Sequence, residues 1–239
     1  MPATHDFTLV LIPGLGADAR MWRHQLDGLA DWSPVVCDAW AAQGSIEAMA
    51  AAVLQRHPGP LALCGASMGG IMALEAARQA PQRIRGLALL GTNARPETDS
   101  MRALREQAIA LFAQGRVEEV IRPNIAMAFH PRHADDEALV QAYLDFVLDA
   151  GADALIRQNR ALMERPDARA HLASLRCPTL VICGDGDQLT PPECSRELAE
   201  GIAGARLVLL DRCGHMLTME RPREVTAALQ AWLPSLSPA

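Results

Sequence analysis

The chain has 239 residues, half of them hydrophobic, and a formal net charge of −6. That length holds one medium domain, or one domain with an insertion, and aromatics at only 4% leave Leu, Ala, Val and Ile to fill the core. All 22 basic residues are arginine and none forms a basic block, which disfavours nucleic-acid binding, because its phosphate term needs a concentrated positive surface. No apolar stretch reaches the ~18 residues that a membrane span needs. Residues Met1 to Asp6 lack the basic start of a secretory leader, so a cytoplasmic protein without a membrane partner is expected. Cys37, Cys64 and Cys183 lie in or at the end of apolar runs. With Cys177, Cys194 and Cys213 they read as small buried hydrophobes rather than disulfides. There is no C-x-x-C, and His130 and His133 flank Pro131 in a loop, so no metal site is expected.

The predicted elements alternate from the start. Phe7 to Ile12 reads as a buried strand, Ala19 to Leu29 as a helix, Val35 to Cys37 as a short strand and Ile46 to Arg56 as a helix. Leu61 to Cys64 is a strand, Met68 to Gln79 a helix stopped near Pro81, and Ile84 to Leu90 another strand. Continuous apolar strands alternating with helices predict an α/β fold, a doubly wound, mostly parallel sheet covered on both faces. From about Pro96 to Leu175 the rhythm changes. Met101 to Ala113, Val117 to Met127, Asp135 to Leu148 and Ala152 to Met163 all carry helical periodicity. Alternation resumes with Thr179 to Cys183, Glu193 to Gly201, Arg206 to Leu210 and Arg223 to Leu233. The expected organisation is a core of residues 1–95 and 176–239, with an all-helical cap, 96–175, inserted between its halves.

The sharpest local pattern is Gly65-Ala66-Ser67-Met68-Gly69, between a strand and a helix. A serine on such a turn is strained and pushed out of the sheet, with its hydroxyl open to a substrate. Side chains at 65 and 69 would block the approach of helix to strand, and glycine removes that block. A serine nucleophile needs a base, and the base needs a third group to orient it. Candidates lie at later strand ends, where open α/β sheets place their chemistry. Asp185 and Asp187 follow the strand ending at Cys183, and His215 follows the strand ending at Leu210. The order Ser, acid, His is the one used by α/β folds with this turn.

Four segments carry a resemblance to the α/β-hydrolase superfamily, and to its small, helically capped serine hydrolases. They are Ile12-Pro13-Gly14-Leu15-Gly16, Gly65 to Gly70, Gly184 to Pro191, and Gly214-His215 with Glu220-Arg221-Pro222. The third resembles the family's G-x-x-D-x-aliphatic-x-Pro pattern, which implies Asp187 rather than Asp185, with Asp185 the alternative. The resemblance implies a catalytic triad of Ser67, Asp187 and His215. It also implies an oxyanion hole made by the backbone N–H groups of Leu15 and Met68, with no cofactor and no metal. Where many relatives carry His-Gly, this chain has Pro13-Gly14, which puts the loop geometry in question. About six strands are expected, without the usual antiparallel N-terminal hairpin.

The expected activity is hydrolysis of a small carboxylic ester, thioester or lactone, as in carboxylesterases, enol-lactonases and pimeloyl-ester esterases. The alternatives are a C–C bond hydrolase or lyase of the same superfamily, and a ligand receptor on the same fold with slow turnover. The expected partner is a small molecule, and the oligomeric state is open. Met101, Leu104, Phe112, Met127, Phe129, Phe146 and Met163 are candidate pocket walls, though an amphipathic helix must bury one face in any case. His130 is a candidate lining residue. Arg20, Arg95 and Arg132 are candidate binders of a substrate carboxylate, each otherwise a solvated arginine.

Overall fold

A computed structural model describes residues 5–236. Its first strand, β1 (Thr8–Ile12), shows how the layers arise. Leu9 and Leu11 point to one face and Val10 and Ile12 to the other, and each pair joins a different buried cluster. A strand apolar at every position from Leu9 to Ile12 therefore demands cover on both faces. The chain continues through α1 (Arg23–Gly28), β2 (Val35–Val36), α2 (Ile46–Arg56), β3 (Leu61–Ala66), α3 (Met68–Gln79) and β4 (Ile84–Leu90). Five helices follow without a strand: α4 (Asp99–Phe112), α5 (Val117–Ile121), α6 (Ile125–Ala128), α7 (Glu137–Met163) and α8 (Arg169–Leu172). Then come β5 (Thr179–Gly184), α9 (Pro192–Gly201), β6 (Arg206–Leu210), α10 (Leu217–Glu220) and α11 (Pro222–Trp232).

The six strands form one sheet in the order β2-β1-β3-β4-β5-β6, and every described pairing is parallel. This is the predicted α/β class and strand number. β3 and β4 hold the centre, and β1 lies one place from the edge. One face packs on Met49, Val53, Met72 and Ala73 of α2 and α3 and on Leu198 of α9. The other packs on Trp22 and on Val225, Leu229 and Trp232 of α11. Phe112 of α4, Phe146 and Leu155 of α7, and Phe129 just after α6 join this second cluster. Those helices are thus welded to the sheet by continuous apolar packing.

Element ends follow their caps. Ser45 accepts from Ala48 N–H and starts α2; Thr98 accepts from Met101 N–H and starts α4 at Asp99, two residues before the predicted Met101. Asp136 accepts from Leu139 N–H, so α7 begins at Glu137 and not at Asp135. The predicted Val117 to Met127 helix is broken into α5 and α6. Pro123 lies between them and has no N–H to continue the ladder. The predicted break between Leu148 and Ala152 falls at Gly151, where φ of +77° and ψ of 162° interrupt α7. The predicted helix from Ala19 starts with a 3-10 turn, Ala19–Trp22, and becomes α-helical only at Arg23. The short α8 and α10 have too few residues to show periodicity. Among the described residues no helix is long and apolar enough to cross a membrane. All six cysteines are free, and five are buried.

Candidate active site

β3 delivers Ser67 at the end of the sheet, with φ of +54° and ψ of −118°. No L-residue favours that backbone, and holding it costs on the order of 1–3 kcal/mol. Two bonds hold it: Ser67 N–H donates to Leu90 O at 2.8 Å, and Thr92 Oγ1 donates to Ser67 O at 2.7 Å. The flanking glycines are steric necessities. A Cβ on Gly65 would stand 2.2 Å from Gly69 O, and one on Gly69 would stand 2.1 Å from Ile12 O. The helix after the serine therefore packs directly on two strand ends.

The structure brings the predicted histidine and acid to this serine. His215 Nε2 lies 2.9 Å from Ser67 Oγ, and His215 Nδ1 lies 2.8 Å from Asp187 Oδ2. Asp187 is only 3% exposed, and its oxygens are saturated with donors. Oδ1 accepts from Leu189 and Thr190 N–H, and Oδ2 from Thr190 Oγ1, each at 2.9 Å. Burial would push this carboxyl up, but the charge and hydrogen bond of His215 and the Thr190 donors outweigh burial and hold it low. A carboxylate only accepts, so Nδ1 carries the proton and Nε2 is left to accept from the serine hydroxyl. Burial would likewise push the imidazole down. Asp187 outweighs that and raises the pKa, with a further contribution from Glu220.

Asp185 does different work. Its Oδ1 accepts from Cys213 N–H at 3.1 Å and shapes the loop before the histidine. Glu220 braces the same loop, accepting from Gly214 N–H at 3.0 Å and from His130 N–H at 2.9 Å. His215 N–H donates to Ala128 O of α6 at 2.9 Å, so a helix from between β4 and β5 also holds the histidine. Two further residues escaped the sequence reading. Thr190 orients the acid. Gly91, at φ of +50°, clears room for the pair, since a Cβ there would stand 3.3 Å from Asp187 Oδ2 and 3.5 Å from His215 Nδ1. Thr190 sits in the Gly184 to Pro191 pattern already singled out; a glycine directly after β4 was the signal for the other.

The loop Pro13 to Gly16 runs beside the serine. A Cβ on Gly14 would stand 3.3 Å from Ser67 Cβ and from Ala66 O. No described residue accepts from the backbone N–H of Leu15 or of Met68. Met68 is also the first residue of α3, where the helix dipole favours negative charge. The next N–H along the loop, of Gly16, donates to Gln158 Oε1 at 2.7 Å.

The three candidate arginines differ in their surroundings. Arg20 is paired with Asp18 and Asp149, and Arg95 with Glu197. Arg132 is exposed, and its N–H donates to His130 Nδ1. His130 packs against Gly186 and Gly214, behind the acid and histidine loops. Glu97 is buried between Arg105 and Arg165, and Arg105 also donates to Asn159 Oδ1 at 2.8 Å. Leu104 and Met127 are exposed, while Phe112, Phe129 and Phe146 are core residues. Tyr143, edge-on to both Phe129 and Phe146, has no described partner for its hydroxyl, and burial pushes its pKa up to about 12. Among the described residues no group of three or more His, Cys, Asp or Glu could hold a metal ion.

A parallel sheet with a strained strand-end serine, a histidine and a buried acid defines an α/β-hydrolase. The chain belongs to the family described as serine aminopeptidase, S33, which it matches over residues 41–222. It is 31% identical to the "Putative carbamate hydrolase RutD" of Pseudomonas syringae pv. syringae, over 95% of this chain and 93% of that one. It is 26% identical to the pimeloyl-[acyl-carrier protein] methyl ester esterase of Nitrosomonas europaea, over 78% and 77%. Among solved structures it resembles a thermophilic esterase from Thermogutta terrifontis, with a TM-score of 0.88 and 26% identity over 97% of this chain and 91% of that one. It also resembles the enol-lactonase from Burkholderia xenovorans LB400, with a TM-score of 0.87 and 25% identity over 97% and 92%. The relatives are hydrolases, and the chain is an enzyme of this esterase and hydrolase group.

Proposed function

We infer that the enzyme hydrolyses a small carboxylic ester, thioester or lactone through an acyl-enzyme on Ser67. The observation that carries this reading is the unbroken relay from Ser67 Oγ through His215 to Asp187, at 2.9 and 2.8 Å. Ser67 Oγ attacks the carbonyl carbon while its proton passes to His215 Nε2. The carbonyl oxygen takes up the negative charge and is met by the N–H groups of Leu15 and Met68. The tetrahedral intermediate collapses, and imidazolium Nε2–H protonates the departing alkoxide or thiolate. A water, deprotonated by His215, then attacks the acyl carbon and releases the acid and Ser67. These steps use no metal and no organic cofactor.

The division of labour follows the chain. Residues 1–95 and 176–239 form the core that carries the triad, and residues 96–175 form a cap over it. Ala128 O, from the cap, holds the histidine loop. The relatives named as esterase and enol-lactonase favour an ester or lactone carbonyl. The pairing of Arg20 and Arg95 with acids favours an acyl group without a free carboxylate. The test is steady-state hydrolysis of nitrophenyl esters, thioesters and lactones of increasing acyl length. Turnover of at least one class is expected; labelling by a fluorophosphonate without turnover of any would refute the reading.

The pH dependence has a definite sign. His215 must be neutral to accept the serine proton, and Asp187 raises its pKa above the ordinary imidazole value of 6.5. The acid limb of kcat/KM is therefore expected above pH 6.5, with activity lost as pH falls through it. A pH–rate profile measures this, and a limb at or below that value would contradict the buried Asp187–His215 pair.

A further inference from the structure

We propose that Gln158 is a positioning residue for the oxyanion hole, holding the loop that presents Leu15 N–H. The inference rests on the reading of Leu15 as a donor given above. Gln158 lies on α7, 142 residues from Gly16 in sequence, and is only 3% exposed. Its contact with Gly16 N–H, at 2.7 Å, is buried. An N–H can only donate, so the side-chain atom facing it is the amide oxygen. Gly16 sits at φ of +65°, in the left-handed region, and glycine alone does not hold a peptide there. The peptide joining Leu15 to Gly16 follows directly on the peptide whose N–H is to meet the oxyanion. Pinning the first restricts rotation of the second.

The packing around Gly16 points the same way. A Cβ there would stand 2.9 Å from Leu155 Cδ2 and 3.3 Å from Val147 Cγ1. Val147 precedes the Gly151 break in α7, and Leu155 and Gln158 follow it. Apart from its chain neighbours and the helix's own backbone, no described heavy atom lies within 4 Å of where a Cβ on Gly151 would stand, so the glycine serves the backbone turn rather than a close contact. The break lets both halves of one helix close on the oxyanion loop. The second half is itself held to the exit of β4, because Asn159 accepts from Arg105, which pairs with Glu97. Oxyanion donors act through placement, and a misplacement of about 1 Å costs about 100-fold in rate. Gln158 would thereby link the cap to transition-state stabilisation rather than to substrate binding.

The test is Gln158→Met in the full-length enzyme, which keeps length and flexibility but removes the acceptor. On the best nitrophenyl ester, kcat is expected to fall about 10- to 100-fold, with KM within about threefold of wild type. Affinity for a trifluoromethyl ketone, which forms a hemiketal oxyanion on Ser67, should fall by a similar factor, while the acid limb stays in place. A variant with wild-type kcat and ketone affinity overturns the inference. So does a fall in activity that appears only in KM. Should the variant not fold, amide hydrogen exchange in the wild-type enzyme decides. Gly16 N–H is expected to be protected, and exchange as fast as an open loop overturns the inference. Ser67→Ala run in parallel separates the two levels: if it is still labelled by the fluorophosphonate, the acyl-enzyme reading itself fails.

Discussion

Ser67→Ala is expected to lower kcat by about 10⁶-fold, the scale on which loss of a triad nucleophile acts in other serine hydrolases. It is also expected to abolish covalent labelling by a fluorophosphonate, read by intact-protein mass. The hydroxyl is the group within 2.9 Å of His215 Nε2, and its loss leaves the base with no proton to take. The fold is expected to persist, because the bonds holding the turn, from Ser67 N–H to Leu90 O and from Thr92 to Ser67 O, are backbone contacts that alanine keeps. Alanine also keeps the strained backbone at φ of +54°. Circular dichroism close to wild type, with activity gone, is therefore the expected pair of results. Full labelling of the variant would remove Ser67 as nucleophile.

Asp187→Asn is expected to cost about 10⁴-fold in kcat while leaving the fold intact. The reason is the direction of one hydrogen bond. Asp187 Oδ2 accepts from His215 Nδ1, which leaves Nε2 free to accept from Ser67. An asparagine amide at that position donates, so the ring must carry its proton on Nε2, and that nitrogen can no longer take the serine proton. Asparagine still accepts from Leu189 and Thr190 N–H through its oxygen, so the loop keeps its shape. Asp185→Asn is the control. Asp185 accepts from Cys213 N–H, and its loss is expected to change kcat by less than about tenfold, the scale of a neighbouring structural hydrogen bond. A reversal of the two results would transfer the acid's role.

The parts of the site nearest in sequence were the most legible. Gly65, Ser67 and Gly69 stand in one short segment, and the steric reason for both glycines follows from a helix turning directly back on its strand. The strands were legible because an apolar run buried on both faces has few alternatives. The helix ends were less so, because a polar cap such as Thr98 or Asp136 reads as loop until its N–H partner is in place. The Val117 to Met127 helix failed for a local reason that the sequence did contain, Pro123, which periodicity overrode. Among the candidate wall residues, Phe112 and Phe146 proved to be core, as an amphipathic helix requires of one face, and so did Phe129 just after α6, while Leu104 and Met127 remained exposed.

By itself the sequence determined the layered fold and the break between an alternating and an all-helical region, and it offered Ser67, His215 and Asp187 as the candidate site, with Asp185 as the alternative acid. These are properties of local period, turn chemistry and chain order. What only tertiary structure decided is the set of contacts around the two acids: the pattern from Gly184 to Pro191 implied Asp187 rather than Asp185, but not that Asp187 meets His215 Nδ1 while Asp185 meets Cys213 N–H. The same holds for Ala128 and Gln158. Their contacts join segments distant in the chain, and neither a period nor a spacing encodes them. The serine was readable because strain is local; the groups that orient its partners were not, because orientation is a property of the packed whole.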